Sequence, residues 1–178
     1  MKANSGFTIT ADEIQKKVAE LGQKITKDYE GKQPVFVGIL KGAFMFMADL
    51  IRHVDLPLEI DFLAVSSYGK STESSGAVMI LKDIGVDIEG RDVLIVEDIL
   101  DTGLTLKHIV KHLMSKHPKS LKICVLLDKK ERRKVQIDAD YVGFEVPDKF
   151  LVGYGLDYAE RYRNLPYIRE LSPEEVVA

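Results

Sequence analysis

Val93-Leu-Ile-Val-Glu-Asp-Ile-Leu-Asp-Thr-Gly-Leu-Thr105 is the stretch on which the reading of this chain turns. Four apolar, mostly β-branched residues lead into the adjacent acids Glu97 and Asp98. A tight turn, Asp101-Thr102-Gly103, follows, and a helical pattern begins at Leu104. A buried strand that passes through a glycine turn into a helix aims backbone N–H groups outward from the helix N-terminus. That end carries a partial positive charge and suits a phosphate. The acids ahead of the turn repel phosphate, but they accept hydrogen bonds from sugar hydroxyls or hold Mg2+ through oxygen. Phosphate at one end and hydroxyls or metal at the other describes a ribose 5-phosphate.

The surrounding chain alternates helical and strand patterns. Thr10-Ala-Asp-Glu13 is a capping box, and Ile14, Val18, Leu21 and Ile25 follow at helical spacing up to Gly31. Pro34 to Leu40 reads as a short buried strand, turned by Lys41-Gly42 into an apolar helix through about His53. Leu58 to Val65 alternates, with Leu58, Ile60, Phe62 and Ala64 on one face, which suggests a strand with one wetter side. The polar, Ser- and Gly-rich segment 66–76 leaves the sheet, and Val78 to Leu81 returns to it. After the motif, Leu106, Ile109, Val110 and Leu113 form the inner face of a helix running to about Lys116. Leu121–Leu127 and Tyr141–Val146 are further strands. The pattern implies an α/β fold, a mostly parallel central sheet with helices on both faces. Ligands of such sheets sit outside the strands' carboxyl ends. Lys41, Glu97, Asp98, Asp101 and Lys129 all follow predicted strands, so they are expected to share one cleft.

Bulk properties narrow the field. With 178 residues the chain is expected to form one domain with a sizeable core. A net charge of −3 argues against a general nucleic-acid binder. The single cysteine, Cys124, lies in an apolar run and reads as a small core residue. A polar N-terminus and the lack of any ~20-residue apolar run lead to the expectation of a cytoplasmic protein with no membrane partner. His108 and His112 stand four residues apart, but no Glu or Cys ligand set accompanies them.

The quoted stretch closely resembles the phosphoribosyl pyrophosphate (PRPP) motif of type I phosphoribosyltransferases: an apolar strand, two acids, two apolar residues, Asp-Thr-Gly and a Thr two places on. Over roughly Pro34 to Arg163 the likeness narrows to the 6-oxopurine salvage branch, the hypoxanthine-guanine phosphoribosyltransferases. Leu40-Lys41-Gly42 resembles that branch's pyrophosphate loop, in which the Leu–Lys peptide can be cis, although by itself the dipeptide equally suits a capping glycine beside a surface lysine. Ser66-Ser67-Tyr68-Gly69 resembles the start of its lid, with Ser67 and Tyr68 as the contacts. Val142 to Tyr158 resembles its purine hood and metal site.

The resemblance implies the type I fold with a small hood over the purine, and Mg2+-dependent transfer of 5-phosphoribosyl from PRPP to N9 of hypoxanthine or guanine. By residue, it gives the 5-phosphate to Thr102, Gly103, Leu104 and Thr105, and the ribose to Glu97 and Asp98. Asp101 becomes the acid/base residue. Lys41, Gly42 and Arg163 fall to the pyrophosphate. The purine falls to Lys129, Phe150 and Leu151, with Asp157 beside it and joining Glu97 and Asp98 as metal ligands. The rest of the run Lys130 to Lys134 reads as a solvated basic turn. Position 104 is Leu where some relatives carry Lys, a change of little consequence to a cradle built mainly of amides. The family commonly forms dimers or tetramers. The competing readings are a xanthine-preferring enzyme and a non-enzymatic, PRPP-sensing regulator that binds nucleic acid.

Overall fold

The computed structural model of the protein describes residues 6–67 and 78–177. Its centre is a sheet of order β4-β3-β2-β5-β6-β7. The strands are β2 (Val35–Leu40), β3 (Glu59–Ser67), β4 (Val78–Lys82), β5 (Asp92–Leu100), β6 (Ser120–Asp128) and β7 (Tyr141–Glu145). All neighbours are parallel except β3 and β4, which form an antiparallel pair. Of the expected lid, Ser66 and Ser67 belong to β3, whereas Tyr68 and the remainder through residue 76 lie outside the described residues.

Alternation along each central strand sends one set of side chains to each face. Phe36, Leu94, Val96, Cys124 and Leu126 meet helices α1 (Ala11–Asp28) and α2 (Phe44–Ile51) through Ile14, Val18, Leu21, Ile25, Phe46, Met47 and Leu50. Val35, Val37, Val93, Ile95 and Val125 meet Leu106, Ile109 and Leu113 of α3 (Leu104–Met114) on the other face. A strand covered on both sides needs apolar residues at every position, which is why β5 opens as the continuous run Val93 to Val96. Each such side chain stabilises the fold by about 1.5–3 kcal/mol. Cys124 is fully buried among them, and burial pushes its thiol well above the ordinary range.

The first helix starts as its sequence dictates. The Thr10 hydroxyl accepts from the Glu13 N–H and donates to the Glu13 carboxylate, both at 3.1 Å. In β3 both faces touch the core, where the alternation suggests one wetter side. Ile60 is 44% exposed and Leu63, on the opposite face, is fully buried. The α1–α2 layer reaches β3 at Phe62, but Leu63 seats more deeply in the α3-side core. The acids Glu97 and Asp98 also lie within β5, which continues to Leu100, and not after it.

A second, antiparallel sheet of order β1-β9-β8 unites β1 (Thr8–Ile9), β9 (Ile168–Glu170) and β8 (Leu151–Val152). A short helix, α4 (Pro173–Val177), follows it. Among the described residues, no helix is long and apolar enough to cross a membrane.

Candidate active site

Because β2, β5 and β6 are parallel, Lys41, Asp101 and Lys129 leave the sheet at the same edge. The turn after β5 lines a cavity of about 220 Å3 together with Glu97, Asp98, Thr102, Gly103, Thr105 and Leu106. Gly103 caps α3 with φ +84°, a left-handed conformation that glycine adopts freely. A Cβ there would stand 2.5 Å from Ile137 Cγ2, so packing demands glycine as well. The N-terminus of α3 borders this cavity, and the N–H groups of a helix N-terminus suit an anion.

Glu97 and Asp98 form an acid pair beneath that turn. Burial first, then the neighbouring charge of Asp98 and a hydrogen bond with it, holds the Glu97 carboxyl well above the ordinary carboxylate range. Adjacent acids that resist joint ionisation suit sugar hydroxyls or a hard divalent cation, which supplies the charge they lack. Gly42 lies directly against Asp98, where a Cβ would fall 2.0 Å from Asp98 Oδ2. The Leu40–Lys41 peptide leading into it is cis, as the resemblance implies. On its other side Gly42 meets Gly155, whose Cβ would fall 2.2 Å from the Gly42 carbonyl oxygen. Arg163 Nη1 donates to the Gly155 carbonyl oxygen at 2.7 Å. Gly42, the acid pair, Gly155 and Arg163 therefore form one contiguous group.

Asp157 stands among the hood-side polar residues Arg163 and Glu160. Arg163 Nη2 lies 3.3 Å from its Oδ1, and the Glu160 N–H donates to its Oδ2 at 2.9 Å. Among the described residues, no group of three or more His, Cys, Asp or Glu side chains comes together to hold a metal. The carboxylate oxygens of Glu97 and Asp98 remain suited to Mg2+, which keeps waters and substrate oxygens in its shell.

The purine candidates do assemble. Lys129 is 6% exposed, and its Nζ donates to the Lys149 carbonyl oxygen at 2.8 Å. Next to that carbonyl stands Phe150, 45% exposed, with Tyr158 against it edge-on at 5.4 Å between ring centroids. The Leu171 N–H donates to the Phe150 carbonyl oxygen, which makes Leu151 and Glu170 a non-hydrogen-bonded pair. The main-chain groups of Leu151 consequently point away from β9, while its side chain packs in the core.

One arginine departs from the reading of 130–134 as a solvated turn. Lys130 fits it, pairing on the surface with Glu145 at 2.7 Å. Arg132 fits it too, with an exposed side chain whose Nε lies 3.1 Å from Asp101 Oδ1. Arg133 does not, with a side chain 15% exposed. It donates to the carbonyl oxygens of Asp101 (2.7 Å), Leu100 (3.3 Å) and Ile137 (3.0 Å), and to buried Asp128 (2.6 Å). The Lys134 N–H completes the clasp on the Thr102 carbonyl oxygen at 2.9 Å. The cationic run folds back over the motif turn and holds it. Its sequence carries no periodicity that distinguishes Arg133 from its neighbours.

A mostly parallel α/β sheet carries at its carboxyl edge a glycine turn into a helix, a buried acid pair and an exposed aromatic ring, the arrangement of a class of nucleotide-handling proteins. The comparisons agree. Residues 9–159 match the phosphoribosyl transferase domain. The chain is 60% identical to the hypoxanthine-guanine phosphoribosyltransferase of Bacillus subtilis, over 93% of this chain and 92% of that protein. It superposes on the crystal structure of a hypoxanthine phosphoribosyltransferase from Staphylococcus aureus with a TM-score of 0.92, at 57% identity over 96% of this chain and 92% of that one. A hypoxanthine-guanine phosphoribosyltransferase from Bacillus anthracis, with HEPES in its active site, gives a TM-score of 0.91 at 50% identity over 96% and 100% of the two chains. This chain belongs to the phosphoribosyl transferase family and has the type I phosphoribosyltransferase fold.

Proposed function

We propose that the chain is a purine-salvage enzyme that transfers 5-phosphoribosyl from PRPP to N9 of hypoxanthine or guanine, giving IMP or GMP and pyrophosphate. The observation that carries this reading is the double attachment of Lys129. Its N–H donates to the Leu100 carbonyl oxygen at 2.9 Å, at the start of the phosphate turn. Its Nζ donates at 2.8 Å to the Lys149 carbonyl oxygen, beside Phe150. One buried cation thus connects the sugar-phosphate cradle to the base platform, and a cationic donor there favours a 6-oxo group over the 6-amino group of adenine.

In the reaction the N9–C1′ bond forms as the bond from C1′ to pyrophosphate breaks. The purine proton leaves from N7 to the Asp101 carboxylate. Amides and hydroxyls of Thr102, Gly103, Leu104 and Thr105 hold the 5-phosphate, and Lys41, Gly42 and Arg163 receive the pyrophosphate. Phe150 stacks on the base, and Ser67 and Tyr68 serve the lid that excludes water. Glu97 and Asp98 would hold Mg2+, with Asp157 acting from the pyrophosphate side, and the bound ion supplies charge stabilisation to the leaving group. One catalytic domain working in the cytoplasm as a homodimer or homotetramer fits this reading. The exposed apolar residues Ile60, Met79 and Leu81 on β3 and β4 support self-association.

The test is Lys129→Ala, with binding of each substrate measured by calorimetry. Hypoxanthine affinity, measured with Mg2+ and pyrophosphate present, is expected to fall about tenfold or more, while PRPP affinity changes much less. Equal losses for both ligands would place Lys129 away from the base.

A further inference from the structure

Glu160 takes no part in the transfer as described, yet it stands in the middle of the site. Its Oε2 lies 3.1 Å from Lys41 Nζ and its Oε1 lies 3.3 Å from Arg163 Nη2. Both cations belong to the pyrophosphate clamp proposed above. The carboxylate offers its oxygens to the ammonium and the guanidinium much as a phosphoryl group would. The backbone is shaped to present it. Ala159 and Glu160 occupy consecutive left-handed conformations, φ +52° and +63°, a placement costly for residues with a Cβ. The Glu160 N–H is tied to Asp157 Oδ2 at 2.9 Å, anchoring the loop at its base. Lys41 and Arg163, in that order as hydrogen-bond donors, hold the Glu160 carboxyl below its ordinary range, so it is an anion at neutral pH.

We infer that Glu160 is an affinity-setting residue of the pyrophosphate subsite, an internal anion that neutralises Lys41 and Arg163 when the subsite is empty and competes there with pyrophosphate and with the diphosphate of PRPP. The inference rests on the assignment of Lys41 and Arg163 to pyrophosphate. Glu160 is 63% exposed, so each contact is of the weak, solvent-screened kind. Weak contacts are what a displaceable stand-in requires, because a ligand's affinity falls by the fraction of time the clamp is closed on Glu160. The same carboxylate, on returning to its cations, promotes departure of pyrophosphate.

Glu160→Gln keeps the shape and the backbone tie and removes the charge. With Mg2+ present, the variant is expected to bind inorganic pyrophosphate and PRPP roughly three- to tenfold more tightly. Product inhibition by pyrophosphate should set in at a correspondingly lower concentration. Affinity for IMP, which carries no diphosphate, is expected to stay at the wild-type value; a general rearrangement of the loop would move it too. Lys41→Met serves as the companion. If Lys41→Met weakens pyrophosphate binding but Glu160→Gln leaves it unchanged or weaker, the role of Glu160 is refuted while the clamp stands. If Lys41→Met has no effect on pyrophosphate binding, the clamp itself is misassigned and the inference falls with it.

Discussion

Replacing Asp101 by Asn is expected to lower kcat by about 10²–10⁴, the usual cost of losing an acid–base group. PRPP affinity should remain near wild type. The phosphate is held by amides of the 102–105 turn, and the turn is held by the Asp101 main-chain carbonyl, which Arg133 grips at 2.7 Å whatever the side chain is. The amide of Asn occupies the same volume beside Arg132 but cannot accept a proton from N7. Steady-state rates with hypoxanthine, set beside PRPP binding by calorimetry, separate the two effects. An unchanged kcat would remove Asp101 from the chemistry, and parallel losses of rate and PRPP affinity would make it a structural residue.

The second large effect is expected at Arg133. Its Nη2 and Asp128 form a 2.6 Å pair in which the carboxylate side chain is 3% exposed. Removing one member of such a pair leaves a buried charge alone, which costs about 3–5 kcal/mol. That is a large share of the ~5–15 kcal/mol that holds a typical domain together. Arg133→Met should therefore lower Tm by roughly 10 °C. Removing both charges, in Asp128→Leu with Arg133→Met, should recover most of that stability. It should not recover PRPP affinity, because the Asp101 carbonyl remains without the guanidinium that sets the turn. Stability and affinity restored together would mean that Arg133 only neutralises Asp128.

The contrast between what could and could not be read in advance follows from the range of each interaction. The motif strand, its glycine turn and the helix after it are local, and each piece declares itself within a few residues. Lys129 could be placed because it follows the end of a strand that the apolar pattern marks, and Phe150 because the stretch Val142 to Tyr158 resembles the family's hood. The small sheet could not. Thr8 pairs with Arg169 and Leu151 with Glu170, and strands of two or three residues have no period to detect. The start of α4 is local too: Ser172-Pro-Glu-Glu175 forms a capping box, with the Ser172 N–H donating to Glu175 at 2.8 Å. Arg133 and Glu160 were hidden for another reason. Each is a charged residue in a charged neighbourhood, and only the fold reveals which carbonyls and cations it meets. Both faces of β3 touch the core, Phe62 on one side and Leu63 on the other, because helices cover both faces of the sheet, which alternation alone does not reveal.

The most direct test is the rate of nucleotide formation with PRPP, Mg2+ and hypoxanthine, guanine, xanthine or adenine supplied in turn. Conversion of hypoxanthine and guanine to IMP and GMP, with one pyrophosphate released per nucleotide and no comparable rate with adenine, is the expected result. Absence of turnover with every base, despite measurable PRPP binding, would contradict the assignment and favour a sensor of PRPP; adenine turned over as well as the oxopurines would contradict the role given to Lys129.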